Sequence, residues 1–316
     1  MPVGCGDRVE GSLPPGAVIR YEEDAASLVL RDSDRMEQFR RGELVFDVID
    51  EGPRDGPVVV LLHGFPQRNT GWNLVTPRLT AQGYRCLAPN QRGYSSGARP
   101  ARRRDYRLQS LVEDVGALID ASGAPRVHMV GHDWGANVAW AAAMETPERL
   151  SSLVPISVPH PAATLNAMAT SRQALASWYI AFFQLPAIPE RIFLGKDRKA
   201  KRLAQFARSK GQPPDAAERD ARAMTEPGAF TAGLNWYRAM PLSNWPRAVR
   251  KVTVPTMFLW GDCDFALKEK GARNCGRYVT GEYRFERLQG SHFLLDEQPD
   301  TVADLLLEWF AAHPVT

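Results

Sequence analysis

The sequence of 316 residues lacks the features that define several large classes of protein. It has no apolar run of about 18 residues, so we expect no transmembrane helix and no membrane insertion, and residues 1–16 lack the apolar core of a signal peptide. Its net charge is only +3, so nothing indicates a nucleic-acid partner. The 4 cysteines have no zinc-ligand spacing, and there is no GxGxxG, P-loop or HExxH motif, so we expect no metal, nucleotide or other cofactor. These absences favour a cytoplasmic protein with reduced cysteines.

Short apolar segments alternate with amphipathic segments along most of the chain. The first are typical of buried strands and the second of helices. The predicted strands cover residues 58–62, 84–89, 127–130, 153–158, 254–261 and 283–288, after a hairpin within 37–52, and the predicted helices cover 70–83, 105–122, 134–146 and 301–313. Strands that alternate with helices predict an α/β fold with a mostly parallel, doubly wound sheet.

The alternation is interrupted in the second half of the chain. Residues 161–245 contain helical segments with polar connections and no strand pattern. We therefore predict that they form a helical cap, or lid, inserted into an α/β core made of residues 36–160 and 246–316. Residues 1–35 are polar, with glycine and proline early and acidic residues later, and we expect them to form a poorly ordered N-terminal extension.

The segment GHDWG, residues 131–135, lies between the apolar run PRVHMV and the segment ANVAWAAAM. This arrangement predicts a strand, a sharp turn and a helix, which is the context of the nucleophile elbow of hydrolases. Its central residue is Asp133, where such elbows usually carry serine. An alternative is that Asp133 only caps the following helix. The complete pattern, with a glycine on each side, favours the nucleophile.

A catalytic set on such a sheet also needs an acid and a histidine, in the chain order nucleophile, acid, histidine. Among the 6 histidines, His292 fits the third place, because it follows the last predicted strand and precedes the last helix. His63 and His132 flank turn residues and are predicted to be structural. Asp262 and Asp264 both follow the preceding predicted strand. We prefer Asp264, because the G-x-x-D spacing places its side chain beyond the strand end, where it can accept the proton of one His292 nitrogen.

A carboxylate nucleophile limits the reactions that the elbow can catalyse. Attack on an ester carbonyl would give an anhydride, whereas attack on a saturated carbon gives an alkyl ester. A water molecule deprotonated by His292 can cleave that ester at its carbonyl. Asp133 needs no base for the first step, since an aspartate has an ordinary pKa of about 4. The substrate is therefore expected to carry a leaving group on sp³ carbon, either an epoxide oxygen or a halide.

The two leaving groups need different help. A halide leaves as a stable anion and needs N–H donors, whereas an epoxide oxygen leaves as a basic alkoxide and needs a proton. Two tyrosine hydroxyls, with an ordinary pKa of about 10, can bind that oxygen and then protonate it. The predicted cap contains two tyrosines, Tyr179 in SWYIAFFQLP and Tyr237 in LNWYRAM. Each could be only a packing aromatic, but the pair together with Asp133 favours an epoxide.

A series of motifs resembles those of epoxide hydrolases of the α/β-hydrolase fold and occurs in that family's order. Within residues 38–312 they are HGFP (63–66), RGYSSGARP (92–100), GHDWG (131–135), YIAFFQLP (179–186), LNWYR (234–238), WGDCD (260–264) and GSHF (290–293). The resemblance implies an α/β-hydrolase fold with an inserted helical cap. It implies that Asp133 is the nucleophile, Asp264 the charge-relay acid and His292 the general base. It also implies that Tyr179 and Tyr237 assist ring opening.

The HGFP motif has its own implied role. The resemblance implies a cis peptide bond between Phe65 and Pro66, and an oxyanion hole formed by the backbone N–H groups of Phe65 and Trp134. Haloalkane dehalogenases commonly have asparagine in place of Phe65, and fluoroacetate-type dehalogenases commonly have arginine in place of Trp134. These departures disfavour a haloalkane dehalogenase, the alternative enzyme with the same Asp133 nucleophile. A non-enzymatic relative that binds a small hydrophobic ligand is a third hypothesis, because a fold does not imply an activity.

The expected reactants are a small hydrophobic epoxide and water, and the expected product is a vicinal diol. We predict an apolar cleft between cap and core, lined by Phe65, Trp134, Trp178 and Phe182. The sequence leaves open whether the protein is a monomer or a homodimer.

Overall fold

A mixed sheet of eight strands lies at the centre of the fold in the described part of the chain. The computed structural model describes residues 35–195, 197, 199–243 and 249–315, so the predicted N-terminal extension, residues 1–35, lies outside the described residues except for Arg35. The strands are β1 (Gln38–Arg41), β2 (Leu44–Glu51), β3 (Val58–Leu62), β4 (Arg85–Pro89), β5 (Val127–His132), β6 (Leu150–Ile156), β7 (Thr256–Gly261) and β8 (Tyr283–Leu288). Their order in the sheet is β1-β2-β4-β3-β5-β6-β7-β8.

The strands from β3 to β8 pair in parallel and form the doubly wound part of the sheet. The strands β1 and β2 form the predicted antiparallel hairpin, and β2 is antiparallel to β4. The predicted α/β fold with a mostly parallel sheet is confirmed. The chain reverses its direction of winding at β3, so the loops after β3 and β5 lie at the crevice where such sheets bind ligands.

Helices cover both faces of the sheet and fill the segment between β6 and β7. They are α1 (Thr76–Ala81), α2 (Leu108–Ser122), α3 (Trp134–Glu145), α4 (Pro161–Thr170), α5 (Gln173–Ala176), α6 (Trp178–Phe183), α7 (Ile188–Leu194), α8 (Lys201–Ser209), α9 (Pro214–Ala223), α10 (Ala229–Arg238), α11 (Glu269–Asn274), α12 (Leu294–Glu297) and α13 (Pro299–Ala312). Val58, Val60 and Leu62 belong to the hydrophobic cluster that includes α2 and α3. Val59 and Leu61 belong to the cluster that includes α1 and α13. The alternation along β3 therefore builds a core on each face of the sheet.

Two predicted elements have different bounds for local reasons. The helix predicted over 70–83 is a 3-10 turn, Asn69–Trp72, followed by α1. Pro77 lies in the first turn of α1, the only part of a helix where a residue without an N–H group is tolerated. The strand predicted over 153–158 is β6, which ends earlier because Ser157 has a φ of 70°, outside the range of a strand.

The segment between β6 and β7 contains only helices among its described residues. The bounds of the predicted cap, 161–245, stay a prediction, because Arg35–Thr316 form one compact unit. Ion pairs connect this segment to the loops after β3 and β4. Glu226 accepts from Arg68 at 2.7 Å and from Arg99 at 3.2 Å. The segment therefore contacts these two loops, and we use the name cap for it.

Three of the 4 cysteines lie within the described residues. Cys86, Cys263 and Cys275 form no disulfide there, and Cys5 lies outside them. No described helix combines the length and the apolar character needed to cross a bilayer.

Candidate active site

The predicted nucleophile elbow connects the end of β5 to the start of α3 and carries Asp133 at its tip. Asp133 has a φ of 53° and a ψ of −117°, an uncommon backbone conformation that is found at functional turns. A Cβ atom on Gly131 would lie 2.2 Å from the carbonyl oxygen of Gly135, and one on Gly135 would lie 2.1 Å from that of Leu62, so the turn requires both glycines. Asp133 occupies the N-cap position of α3, but its side chain makes no capping hydrogen bond. Helix capping therefore does not explain the aspartate.

His292, in the loop between β8 and α12, connects Asp133 to Asp264. Its Nδ1 lies 2.7 Å from Asp264 Oδ2, and its Nε2 lies 3.2 Å from Asp133 Oδ2. All three side chains are buried. The other oxygen of Asp264 accepts hydrogen bonds from the N–H groups of Ala266 and Leu267 at 2.7 and 2.9 Å. The carboxylate that orients His292 is thus itself fixed by the turn after β7.

Asp262, the other candidate acid in the sequence, lies apart from this set. Its carboxylate lies 3.4 Å from Arg287 and accepts a hydrogen bond from the N–H of Gly290 at 3.3 Å. Of the two aspartates in the turn, the structure brings only Asp264 to His292.

Backbone N–H groups adjoin Asp133 on its other side. The N–H of Phe65 donates to Asp133 Oδ1 at 2.8 Å. The peptide bond between Phe65 and Pro66 is cis, which confirms the bond geometry implied by the resemblance. Trp134 is the first residue of α3, and the first N–H groups of a helix have no partner within the helix. Both residues of the predicted oxyanion hole therefore adjoin Asp133, one through a hydrogen bond and the other along the chain.

The charges of these groups depend on one another. Burial alone would lower the pKa of His292, but the charges of Asp264 and Asp133 and the hydrogen bonds to them outweigh burial and raise this pKa to about 10. Burial alone would raise the pKa of Asp133, but the hydrogen bond and charge of His292 hold it below its ordinary value. At neutral pH, Asp133 is therefore an anion and His292 a cation.

The raised pKa of His292 predicts a loss of stability in alkaline solution. A histidine with a pKa of about 10 in the folded protein and 6.5 in the unfolded chain stabilises the fold fully below about pH 6.5, and this contribution is lost as the pH rises toward 10. The free energy of unfolding, measured by urea titration near pH 6.5 and near pH 9.5, should therefore fall more in the parent protein than in a His292→Gln variant. Equal losses in the two proteins would show that His292 is not a cation in the folded state.

Tyr179 on α6 and Tyr237 on α10 face Asp133 from the cap. Their ring centroids lie 6.1 Å apart, and both side chains line the two cavities that Asp133 also lines. Burial raises the pKa of both hydroxyls, and the charge of Asp133 raises it further. Both hydroxyls are therefore protonated at neutral pH and can donate to a substrate oxygen.

The ring of Tyr237 is also part of an aromatic cluster. Its centroid lies 5.5 Å from that of Phe65, 5.0 Å from that of Trp134 and 4.9 Å from that of Phe183. These ring contacts therefore fix the position of the Tyr237 side chain. A packing role for Tyr237 is thus compatible with a role of its hydroxyl in catalysis.

Two cavities, of about 50 and about 90 Å³, share Asp133, Tyr179 and Tyr237 as lining residues. The first has an aromatic wall formed by Phe65, Phe183, Phe193, Phe206, Phe265 and Phe293. The second has a mainly aliphatic wall that includes Trp134, Val158, Leu165, Met168, Ile180 and Met240. A ligand bound at Asp133 would thus have apolar space on two sides. A larger groove on the cap surface, of about 1030 Å³, contains none of the catalytic candidates.

Two of the predicted substrate-binding residues do not line these cavities. Trp178 is 59% exposed, and its ring contacts Phe182 with centroids 5.9 Å apart. Residues four apart share a face of a helix, so Tyr179 and Phe183 turn toward the cavity whereas Trp178 and Phe182 occupy another face of α6. The prediction is therefore wrong for Trp178 and Phe182. Phe65 lines the first cavity and Trp134 the second.

The sequence patterns did not identify five phenylalanines of the first cavity: Phe183, Phe193, Phe206, Phe265 and Phe293. The spacing of four residues after Tyr179 is a signal that could have identified Phe183. Phe193 follows in α7, and Phe265 lies beside Asp264 with its ring centroid 5.7 Å from that of His292. Their positions depend on how the cap packs, which no local pattern reveals.

The histidines predicted to be structural form hydrogen bonds with the backbone around the site. His63 Nε2 accepts from the N–H of Gln91 at 3.1 Å. His132 Nε2 lies 2.8 Å from the carbonyl oxygen of His292. Burial lowers the pKa of His63 to about 3 and that of His132 to about 4. Both side chains therefore support the loops around Asp133, as predicted.

The chain is similar to known proteins over most of its length. A family model described as the alpha/beta hydrolase fold matches residues 57–299. The AB hydrolase superfamily protein YfhM of Bacillus subtilis is 36% identical over 273 residues, which cover 84% of this chain and 94% of that protein. Epoxide hydrolase A of Mycobacterium tuberculosis is 31% identical over 306 residues, which cover 83% of this chain and 92% of that protein. The crystal structure of epoxide hydrolase A from Mycobacterium thermoresistibile superposes with a TM-score of 0.77 at 27% identity, over 88% of this chain and 98% of that one.

Proposed function

Because this chain belongs to the epoxide hydrolases of the α/β-hydrolase fold, we propose that it converts a small hydrophobic epoxide and water into a vicinal diol without a cofactor. The observation that carries the proposal is that Tyr179 and Tyr237 line the same cavities as Asp133. The carboxylate supplies a nucleophile for an sp³ carbon, and the hydroxyls supply the proton that an epoxide oxygen needs. A halide leaving group needs no such proton.

In the proposed first step, Asp133 attacks one carbon of the epoxide ring. A bond forms between a carboxylate oxygen and this carbon, and the bond between the same carbon and the ring oxygen breaks. Tyr179 or Tyr237 transfers its hydroxyl proton to the leaving oxygen, which becomes the first hydroxyl of the diol. The N–H of Phe65 and the Nε2 of His292 each contact one oxygen of Asp133 and so orient the carboxylate for attack.

The proposed second step uses the change in charge that the first step causes. Once Asp133 is an ester it carries no negative charge, so it no longer raises the pKa of His292, and that pKa falls. His292 releases its proton to the tyrosine that lost one and then removes a proton from the attacking water. The N–H groups of Phe65 and Trp134 bind the oxyanion of the tetrahedral intermediate. As the intermediate breaks down, its hydroxyl proton passes to the departing alkoxide, and Asp133 returns as a carboxylate.

The haloalkane dehalogenase hypothesis has less support. Phe65 occupies the place of the asparagine that helps to bind a halide, and the ring of Trp134 packs edge-on against that of Tyr237, with centroids 5.0 Å apart. A protein that only binds a ligand would have no use for the buried set of Asp133, His292 and Asp264.

Removal of the two cap hydroxyls is expected to slow ring opening. Tyr179→Phe and Tyr237→Phe should each lower its rate by about 10- to 100-fold, and the double variant by more than either, because general acid catalysis typically contributes about 10²- to 10⁴-fold. Stopped-flow tryptophan fluorescence with styrene oxide, with Trp134 as the reporter next to Asp133, measures the formation of the ester directly.

Tyr94→Phe is a matched control for these variants. Tyr94 is buried, its ring centroid lies 4.5 Å from that of His63, and its hydroxyl has no hydrogen-bond partner in the described part of the chain. This variant should keep the rate of ring opening within about threefold of the parent. A double Tyr179→Phe/Tyr237→Phe variant that opens the epoxide at the parent rate would show that the two rings only pack.

A further inference from the structure

A buried group of polar side chains connects the cap to the loop that carries His292. On the cap side, Gln212 precedes α9, and Arg219 and Asp220 lie on it. Gln212 Nε2 donates to Asp296 Oδ2 at 3.0 Å, and Arg219 Nη2 donates to Asp296 Oδ1 at 3.1 Å. Asp220 binds the same two donors, Gln212 at 2.7 Å and Arg219 at 2.8 Å, and so aligns them. Asp296 lies in α12, four residues after His292.

A second series of polar contacts leads from Asp296 to His292 through the core. Gln67 Nε2 donates to Asp296 Oδ2 at 3.1 Å, and Gln67 Oε1 lies 2.8 Å from His132 Nδ1. His132 Nε2 lies 2.8 Å from the carbonyl oxygen of His292, which also accepts from Ser157 Oγ at 3.0 Å. Because a neutral His132 has a single N–H group, it donates to only one of these two oxygens, so Asp296 is linked to the main chain of His292 by a packed series of polar side chains.

The cap also touches this loop directly. Gly211 has a φ of 103°, and a Cβ atom there would lie 2.5 Å from the Cβ of Ser291. Ser291 in turn donates its backbone N–H to Glu297 Oε2 at 2.8 Å. Only a glycine at position 211 allows the cap to approach the residue next to His292 so closely.

We propose that Asp296 is a positioning residue through which the cap orients the loop that carries His292. This inference rests on the proposed function, because it assigns the effect to the hydrolysis of the ester. The two oxygens of Asp296 accept three hydrogen bonds, from Gln67, Gln212 and Arg219. An asparagine in its place would present an N–H₂ group to at least one of these donors, so one contact between cap and loop would be lost.

The step that depends most on this contact is the attack of water on the ester. His292 must then hold a water molecule between its Nε2 and the Asp133 carbonyl carbon, and a displacement of about 1 Å in such an arrangement can cost about 100-fold in rate. In ring opening, His292 is not the group that transfers a proton. A displaced loop should therefore slow the second step more than the first.

The test compares the two steps in an Asp296→Asn variant, by stopped-flow fluorescence in single-turnover reactions with styrene oxide. We expect the hydrolysis of the ester to slow by about 10-fold or more and its formation to change by less than about threefold. The ester then accumulates, so kcat and KM should fall together while kcat/KM stays nearly constant. Arg219→Gln removes a donor on the cap side and leaves Asp296 in place, so it should also slow the hydrolysis of the ester more than its formation. This variant decides the test if Asp296→Asn does not fold.

Glu226→Gln is the matched control, because Glu226 joins the cap to the core through Arg68 and Arg99 without contacting the His292 loop. It should leave ester hydrolysis within about threefold of the parent. Equal slowing of both steps by Asp296→Asn and Arg219→Gln, or the same selective effect in Glu226→Gln, would overturn the inference. A parent protein that forms no ester at all would instead contradict the proposed function.

Discussion

Replacing Asp133 with asparagine is expected to lower the rate of diol formation from styrene oxide by at least about 10⁴-fold, the scale that follows the loss of a catalytic nucleophile. The amide has nearly the shape of the carboxylate, and its oxygen can still accept the N–H bond that Phe65 donates to Oδ1. It carries no charge and is a very weak nucleophile toward carbon. The loss of activity should therefore occur without a loss of the fold, which circular dichroism and thermal unfolding can verify.

Asp262→Asn is the control for this experiment. Asp262 lies in the same turn as Asp264 but contacts Arg287 and the N–H of Gly290 instead of His292, so this variant should retain the parent rate within about threefold. If Asp133→Asn keeps a rate within about 10-fold of the parent, the carboxylate is not the nucleophile and water attacks the epoxide directly.

The second large effect is expected from His292→Gln, which should form the ester but not cleave it. Loss of a general base typically costs about 10²- to 10⁴-fold, and here the cost should fall on the second step, since an ionised Asp133 needs no base in the first. Asp133 loses a hydrogen bond of 3.2 Å to His292 but keeps the one from Phe65. Mixing the variant with styrene oxide should therefore give a protein whose mass is increased by one substrate molecule.

Intact-protein mass spectrometry measures this product, and proteolysis locates it. The added mass should lie on the tryptic peptide of residues 127–149, which contains Asp133. A His292→Gln/Asp133→Asn double variant should remain unmodified. An unmodified His292→Gln protein, with turnover lost, would place His292 in ring opening and contradict the division of the two steps.

Sequence patterns predicted the features that depend on local spacing. The elbow around Asp133, the β3 strand and the alternation of strands and helices follow from glycine positions and hydrophobic periods, which act within a few residues. The preference for Asp264 over Asp262 followed from a spacing of three residues after a strand, and the structure places only Asp264 beside His292.

The features that depend on packing between distant segments were not predictable in this way. Trp178 and Phe182 are as apolar as Tyr179 and Phe183, and only the orientation of α6 against the core decides which pair lines the cavity. Asp296 looks like an ordinary acidic residue near the start of the last helix. Its proposed role depends on contacts with Gln67 and with cap residues that are far away in the sequence. Such contacts cannot be predicted from a single sequence.

The measurement that tests the central claim most directly is one turnover in water labelled with ¹⁸O, with the parent protein in excess over styrene oxide. If Asp133 forms an ester that water cleaves at its carbonyl, the new diol oxygen comes from Asp133, and the label enters the carboxylate. The account predicts unlabelled diol in this first turnover and ¹⁸O in the peptide of residues 127–149. Labelled diol together with an unlabelled peptide would contradict it, because water would then have attacked the epoxide without a covalent intermediate.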